Sequence, residues 1–202
     1  MANHFLAYLY RLQHIERWSL MRNTSSENVA EHSYHVAILA HALGNIAREI
    51  FHKDINPDEA AAYALFHDAT EVFTGDIPTP VKHHNPRILA NFREIEELAA
   101  ERLIATVPLE LKSRYEPLFG RKPANPDLQR LLKAADLLDA YLKCISELSA
   151  GNHEFETARK QSAEKLNALG MPEVEWFLTN LAPAFEKTLD ELTEIEANED
   201  QV

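Results

Sequence analysis

Four polar side chains occupy positions where a helical pattern asks for apolar ones. His32 lies four, seven and eleven residues before Val36, Leu39 and Leu43, and so shares their inward face. Standing alone, such a histidine is ordinarily a satisfied core residue. His67-Asp68 follows Ala61, Ala64 and Leu65, and Glu71 comes four residues after His67 and three after Asp68. On one continuous helix those three side chains project to one side. Asp136 interrupts the apolar run Leu-Leu-Lys-Ala-Ala-Asp-Leu-Leu-Asp, where a carboxylate is costly if buried without a partner. A divalent cation accounts for His32, His67, Asp68 and Asp136 together. Two imidazoles and two carboxylates form a mixed nitrogen and oxygen set suited to a hard-to-borderline ion, and the carboxylate charges cancel that of the ion. The specific feature is the order: His on one helix, His-Asp-x-x-Glu on the next, and Asp about seventy residues later on a third. His35 and His41 fall off the apolar stripe and read as surface residues. Cys144 reads as core within a helix, and no serine-centred nucleophile elbow is present.

The elements that must position these residues are helices. Asn-Pro occurs at Asn56-Pro57, Asn85-Pro86 and Asn125-Pro126, each before an apolar-periodic run. Asparagine caps a helix N-terminus well, and proline suits the first helical position because that N–H has no intrahelical acceptor. Helices are therefore predicted from Pro57, Pro86 and Pro126. Spacing adds a short first helix over Phe5, Leu9 and Leu12, and a second from near Asn28 through Ile50. The third carries His67 to Glu71, the fourth stops at Pro108 and the fifth runs to Gly151. A sixth spans Phe155 to Leu169. A last one spans Val174 to Ile195, kinked at Pro183. No alternating β-branched run competes. The expected fold class is all-α, about seven helices in one domain over residues 1–202. Residues 18–27 and 74–85 read as loops. The second contains Thr74-Gly75-Asp76-Ile77-Pro78-Thr79-Pro80, stiff enough to wall a ligand.

Composition narrows the partners. The chain is 46% hydrophobic and 26% charged, with a formal net charge of -12. Such a chain repels polyanions over a broad surface, so a nucleic acid polymer is not an expected partner. Residues 186–202 hold seven acids and one lysine and form an acidic tail. By contrast, residues 77–93 carry Lys82, Arg87 and Arg93 with no acid, and Arg11, Arg17 and Arg22 outnumber Glu16 near the start. Those segments leave room for a small anion. No apolar run approaches the ~18 residues of a membrane span. Residues 1–10 are amphipathic and unlike a secretory leader, and a single cysteine suits a reducing compartment, so a cytoplasmic location is expected.

The pattern His32, His67-Asp68 and Asp136 resembles the HD-domain superfamily of metal-dependent phosphohydrolases. Longer segments are similar to the bacterial HD-domain 5′-deoxynucleotidase family. These are Arg17-Trp18-Ser19-Leu20-Met21-Arg22-Asn23, Glu27-Asn28-Val29-Ala30-Glu31-His32-Ser33, His67-Asp68-Ala69-Thr70-Glu71-Val72, Thr74-Gly75-Asp76-Ile77-Pro78-Thr79-Pro80-Val81-Lys82 and Ala140-Tyr141-Leu142-Lys143-Cys144. The resemblance implies an HD-domain helical bundle, a homodimer, one divalent cation (cobalt, manganese, zinc or similar) and hydrolysis of 2′-deoxynucleoside 5′-monophosphates. It implies metal ligation by His32, His67, Asp68 and Asp136. It implies substrate contacts at Arg17, Trp18, Asp76, Ile77, Pro78 and Thr79, with His32, Asp68 and Asp136 also at the substrate.

On that basis Arg17 is expected to orient the phosphate, because a planar bidentate donor matches it. Glu71 is expected to position or deprotonate the attacking water. Asp76 either protonates the leaving 5′-oxygen or binds the sugar. Two other readings compete: an HD phosphohydrolase of a nucleoside triphosphate or signalling nucleotide, and a metal-stabilised helical interaction module without turnover. The short, rigid 76–79 wall favours a small monophosphate over the first. A spare carboxylate at Glu71 disfavours the second.

Overall fold

The computed structural model describes residues 3–82, 84–119, 123 and 125–194, with the side chains of Thr79 and Glu194 outside that description. The end of the acidic tail, including Ile195, therefore lies outside the described residues. The helices in chain order are α1 (Phe5–Leu9), α2 (Val29–Asn45), α3 (Pro57–Leu65), α4 (Glu71–Thr74), α5 (Thr79–Lys82), α6 (Pro86–Ala105), α7 (Leu109–Tyr115), α8 (Pro126–Ser149), α9 (Glu156–Ala168), α10 (Pro172–Asn180) and α11 (Leu189–Glu194). Among the described residues the one β pairing is an isolated antiparallel bridge between Glu16 and Asn28. No described helix is long and apolar enough to cross a membrane.

All three Asn-Pro starts form as expected. The Asn56 side chain accepts from the Asp58 and Glu59 N–H groups, Asn85 from Ile88, and Asn125 from Asp127 and Leu128. Asn28 caps α2 in a reciprocal arrangement: its side chain accepts from the Glu31 N–H at 3.0 Å, and Glu31 accepts from the Asn28 N–H at 3.1 Å. His32 follows one residue after Glu31 and is buried with Val36 and Leu39.

The main core joins α2, α3, α8 and α10 through Val36, Leu39, Leu43, Ala64, Leu131, Leu138 and Phe177. Gly44 lets α2 and α3 cross closely, because a Cβ there would stand 3.0 Å from Pro57 Cα. A smaller cluster holds Phe5, Ala69, Leu103, Ile104, Val107 and Phe119, with Phe66 and Tyr115 packed on it.

Three expectations need correction, and one helix was not foreseen. The third helix does not run through His67 to Glu71. It ends at Leu65, residues 66–70 form turns, and Glu71 opens α4. The reason is Phe66, which turns toward the rings of Tyr115 and Phe119 in the smaller cluster. The ladder tightens to i−3 bonds: His67 N–H to Ala64 and Ala69 N–H to Phe66. The 74–85 loop is not irregular throughout, since Thr79–Lys82 makes a turn of helix. Residues after Pro108 form α7, for which no periodic stripe gave warning. The last helix is interrupted, not merely kinked: α10 ends at Asn180, Ala182–Glu186 is 3₁₀, and α11 starts at Leu189.

Cys144 is fully buried in α8, as expected of a core residue. Burial pushes its thiol up to about 11. At pH 8 the native protein should therefore carry ~100-fold less thiolate than an ordinary cysteine. Iodoacetamide labelling should be correspondingly slow until the protein is denatured, and fast native labelling would contradict this burial.

Candidate metal and substrate site

α2, the 66–70 turn and α8 bring His32, His67, Asp68 and Asp136 together. His32 is fully buried. Its Nε2 lies 3.4 Å from Asp68 Oδ2 and 3.3 Å from Asp136 Oδ1. His67 Nε2 lies 3.0 Å from Asp68 Oδ2, and the two imidazole centroids are 5.1 Å apart. Ligand atoms of His32, His67 and Asp68 all fall within 4.8 Å of one another.

Both rings have their Nδ1 already committed. His32 Nδ1 donates to Asp139 Oδ2 at 2.6 Å, and His67 Nδ1 donates to the Ala64 carbonyl oxygen at 2.6 Å. In each neutral ring the bare nitrogen is therefore Nε2. Both Nε2 atoms are buried with no hydrogen-bond partner among the described residues, and both face the same carboxylates. This donor set fits a divalent cation: two oriented imidazole lone pairs, two carboxylates, and an outer hydrogen bond holding each ring.

The carboxylates attract positive charge to both rings, from a proton or from a cation. Burial works against charge on every member, yet opposite charges outweigh it. His32 titrates well above the ordinary range because Asp136, Asp139 and Asp68 surround it. His67 is raised by Asp68 and Asp136. Asp68 is held well below the carboxylate range by His67 and His32, and Asp136 is lowered by His32 and His67. Glu71 behaves oppositely. Burial, then the charges of Asp68 and Asp76, push it up to about 9. Its Oε2 is a further buried atom with no partner among the described residues. Asp76 is likewise raised, chiefly by burial.

Two clefts meet at the centre, and Asp136 lines both. One, about 660 Å³, is walled by Arg17, Trp18, Met21, Asp76, Pro78 and α9 residues such as Gln161. The other, about 620 Å³, is lined by His67, Asp68, Glu71 and Lys82. Arg17, Trp18, Asp76, Pro78 and Asp136 are thus brought to one cleft, and Glu71 opens on the other. Ile77 is half-buried and lines neither of these clefts. The Thr79 side chain lies outside the described residues.

Sequence reasoning missed Asp139 and Glu27. Asp139 holds His32 and also accepts from Arg17 Nη1 at 3.4 Å. Glu27 accepts from Arg17 Nη1 at 2.8 Å and from Trp18 Nε1 at 2.9 Å. Asp139 stands three residues after Asp136, one turn along α8, and that spacing was the available signal. His35, though exposed as expected, brings its Nδ1 to 3.6 Å from Asp139 Oδ1. His41 is exposed. Trp18 is half-buried, with its ring 5.5 Å from that of Phe155.

The family model described as 5′-deoxynucleotidase YfbR-like matches residues 4–185. A 5′-deoxynucleotidase of Vibrio atlanticus (strain LGP32) is 46% identical over 191 residues, covering 95% of this chain and 98% of that one. One from Vibrio cholerae serotype O1 is 45% identical over the same shares. Among solved structures, an HD-domain phosphohydrolase from Listeria innocua superposes with a TM-score of 0.78 at 26% identity, covering 92% of this chain and 90% of that one. A cyanophage S-2L HD phosphohydrolase bound to dA and one catalytic Zn²⁺ ion gives a TM-score of 0.57 at 25% identity, covering 90% and 96%.

Proposed function

The chain belongs to the 5′-deoxynucleotidase YfbR-like family, and on that premise we propose that it hydrolyses 2′-deoxynucleoside 5′-monophosphates to deoxynucleoside and inorganic phosphate. One observation carries the reading: two unpartnered, pre-oriented imidazole nitrogens meet two carboxylates at the edge of a cleft that also presents Arg17. His32, His67, Asp68 and Asp136 would hold the cation, with cobalt, manganese and zinc all compatible with that donor set. Once bound, it supplies Lewis-acid stabilisation of phosphate charge and a lowered pKa for water.

The protein's own groups do the rest. Arg17 is held through Nη1 by Glu27 and orients the phosphate with its remaining N–H groups. Glu71 takes a proton from the attacking water while the new P–O bond forms. The bond from phosphorus to the 5′-oxygen breaks, and Asp76 either gives that oxygen a proton or binds the sugar. Glu71 and Arg17 line different clefts that share Asp136, so the attacking water is assigned to the first cleft and the nucleoside to the second. Asp76 and Pro78 form the proposed sugar wall, and His32, Asp68 and Asp136 are assigned to the phosphate. One domain, a homodimer and a cytoplasmic location complete the reading. Sedimentation of the purified protein tests the dimer.

The decisive assay measures phosphate release from a panel of deoxy- and ribonucleoside 5′-monophosphates with several divalent ions. Release of pyrophosphate from triphosphates, or no turnover, would instead support one of the competing readings.

Trp18→Ala should weaken the preference for dAMP over AMP. An indole beside C2′ offers a ribose hydroxyl no partner, and such a wall rejects an added hydroxyl by ~10²-fold. The Trp18 contact with Phe155 also suits a simple anchor for the loop. Rates on dAMP and AMP separate the roles: loss of the preference supports the wall, and equal slowing with lower stability supports the anchor.

A further inference from the structure

α8 carries polar residues at 136, 139, 143 and 147, in steps of three, four and four, so they form one stripe along the helix. Asp136 and Asp139 belong to the centre described above. Lys143 and Glu147 do not touch it, yet both are buried, Glu147 with 1% of its surface exposed. Glu147 accepts from Lys143 Nζ at 2.5 Å, from the Thr24 N–H at 2.8 Å, from Thr24 Oγ1 at 2.7 Å and from Asn152 Nδ2 at 2.8 Å. Lys143 Nζ also donates to the Ser25 carbonyl oxygen at 2.7 Å. Asn152 Nδ2 donates in addition to the Arg22 carbonyl oxygen at 2.7 Å.

These bonds converge on the middle of the 17–27 segment, whose first two residues are Arg17 and Trp18. Its ends are tied separately, by the Arg17 N–H to the Glu27 carbonyl and by Glu27 to both side chains. Between them, Asn23 Nδ2 donates to the Trp18 carbonyl oxygen at 3.2 Å. Trp18 has φ of 55°, a left-handed conformation that is costly for a residue with a Cβ and persists only where its surroundings impose it. A buried ion pair adds little stability over a well-packed apolar pair, so its presence here is better explained by what it holds.

We infer that Glu147, with Lys143, is a positioning anchor that fixes Arg17 and Trp18 over the cleft, so that nucleotide discrimination depends on a buried pair with no contact to substrate or cation. This rests on the nucleotidase reading above.

Two variants test it. Glu147→Gln keeps oxygen and shape but removes the charge. Thr24→Val removes one loop hydroxyl and leaves the buried pair intact, which guards against a Glu147 variant that fails to fold. Each is compared with wild type by hydrogen–deuterium exchange, bound-metal stoichiometry and kinetics on dAMP and AMP. The expected result is faster exchange confined to 17–27, unchanged metal content, kcat/KM on dAMP lower by ~10-fold, and a smaller dAMP-to-AMP ratio. Thr24→Ser should restore all of these. Unchanged exchange in 17–27, or an unchanged ratio with both nucleotides slowed equally, overturns the inference. A wild-type protein inactive on dAMP defeats the nucleotidase reading instead, and the exchange data then still decide whether Glu147 orders the segment.

Discussion

Asp68→Ala and Asp136→Ala should each abolish metal binding and turnover. Each removal takes one of two carboxylates that face the bare Nε2 atoms of His32 and His67. The remaining set has fewer donors and less negative charge to offset a dication. Loss of the carboxylate also leaves positive charge in a buried place, so the thermal midpoint should fall as well. Elemental analysis after dialysis and a phosphate-release assay measure both effects. Normal metal content and turnover in the two variants would remove the proposed centre. A pH dependence belongs to the same prediction. The neighbouring carboxylates raise both imidazoles, so protons compete with the cation for them. Metal affinity should therefore rise with pH as His32 and His67 give up protons, and fall in acid.

Glu71→Gln should keep both fold and metal, yet lose at least the ~10²-fold typical of a general acid–base group. The side chain opens on a cleft that Arg17 does not line, and its Oε2 has no partner among the described residues. Burial and the charges of Asp68 and Asp76 hold it up to about 9 in the protein alone. A dication held by Asp68 would offset that repulsion, though not the burial, and so favour the ionised form that can accept a proton. The acid limb of the kcat profile should disappear in the variant if Glu71 is that base. Loss of the metal in Glu71→Gln would make Glu71 a ligand and overturn the assignment.

Much of this was legible in local chemistry. An Asn-Pro cap acts over four residues, so α3, α6 and α8 could be started from the sequence, while apolar spacing put the start of α2 near Asn28. Periodicity placed His32 inward because neighbours at four and seven residues define a face without reference to the rest of the chain. Family motifs then linked those residues to phosphohydrolysis. What failed was also local in origin. The pattern from Ala61 to Glu71 looked helical throughout, yet the helix ends at Leu65 and Phe66 packs half-buried against the distant rings of Tyr115 and Phe119.

The sequence by itself determined the helical class, three helix starts and the residue types able to bind a cation. Tertiary structure decided which imidazole nitrogen is bare, which cleft Glu71 and Arg17 each face, that Asp139 holds His32, that Glu27 holds Arg17, and that Glu147 ties down Thr24. Those outcomes depend on pairings such as Asp139 with His32, 107 residues apart, and Glu147 with Thr24, 123 apart. A carboxylate's hydrogen-bond partner is set by where two helices cross, and crossing geometry comes from packing of the whole core, as at Gly44 against Pro57.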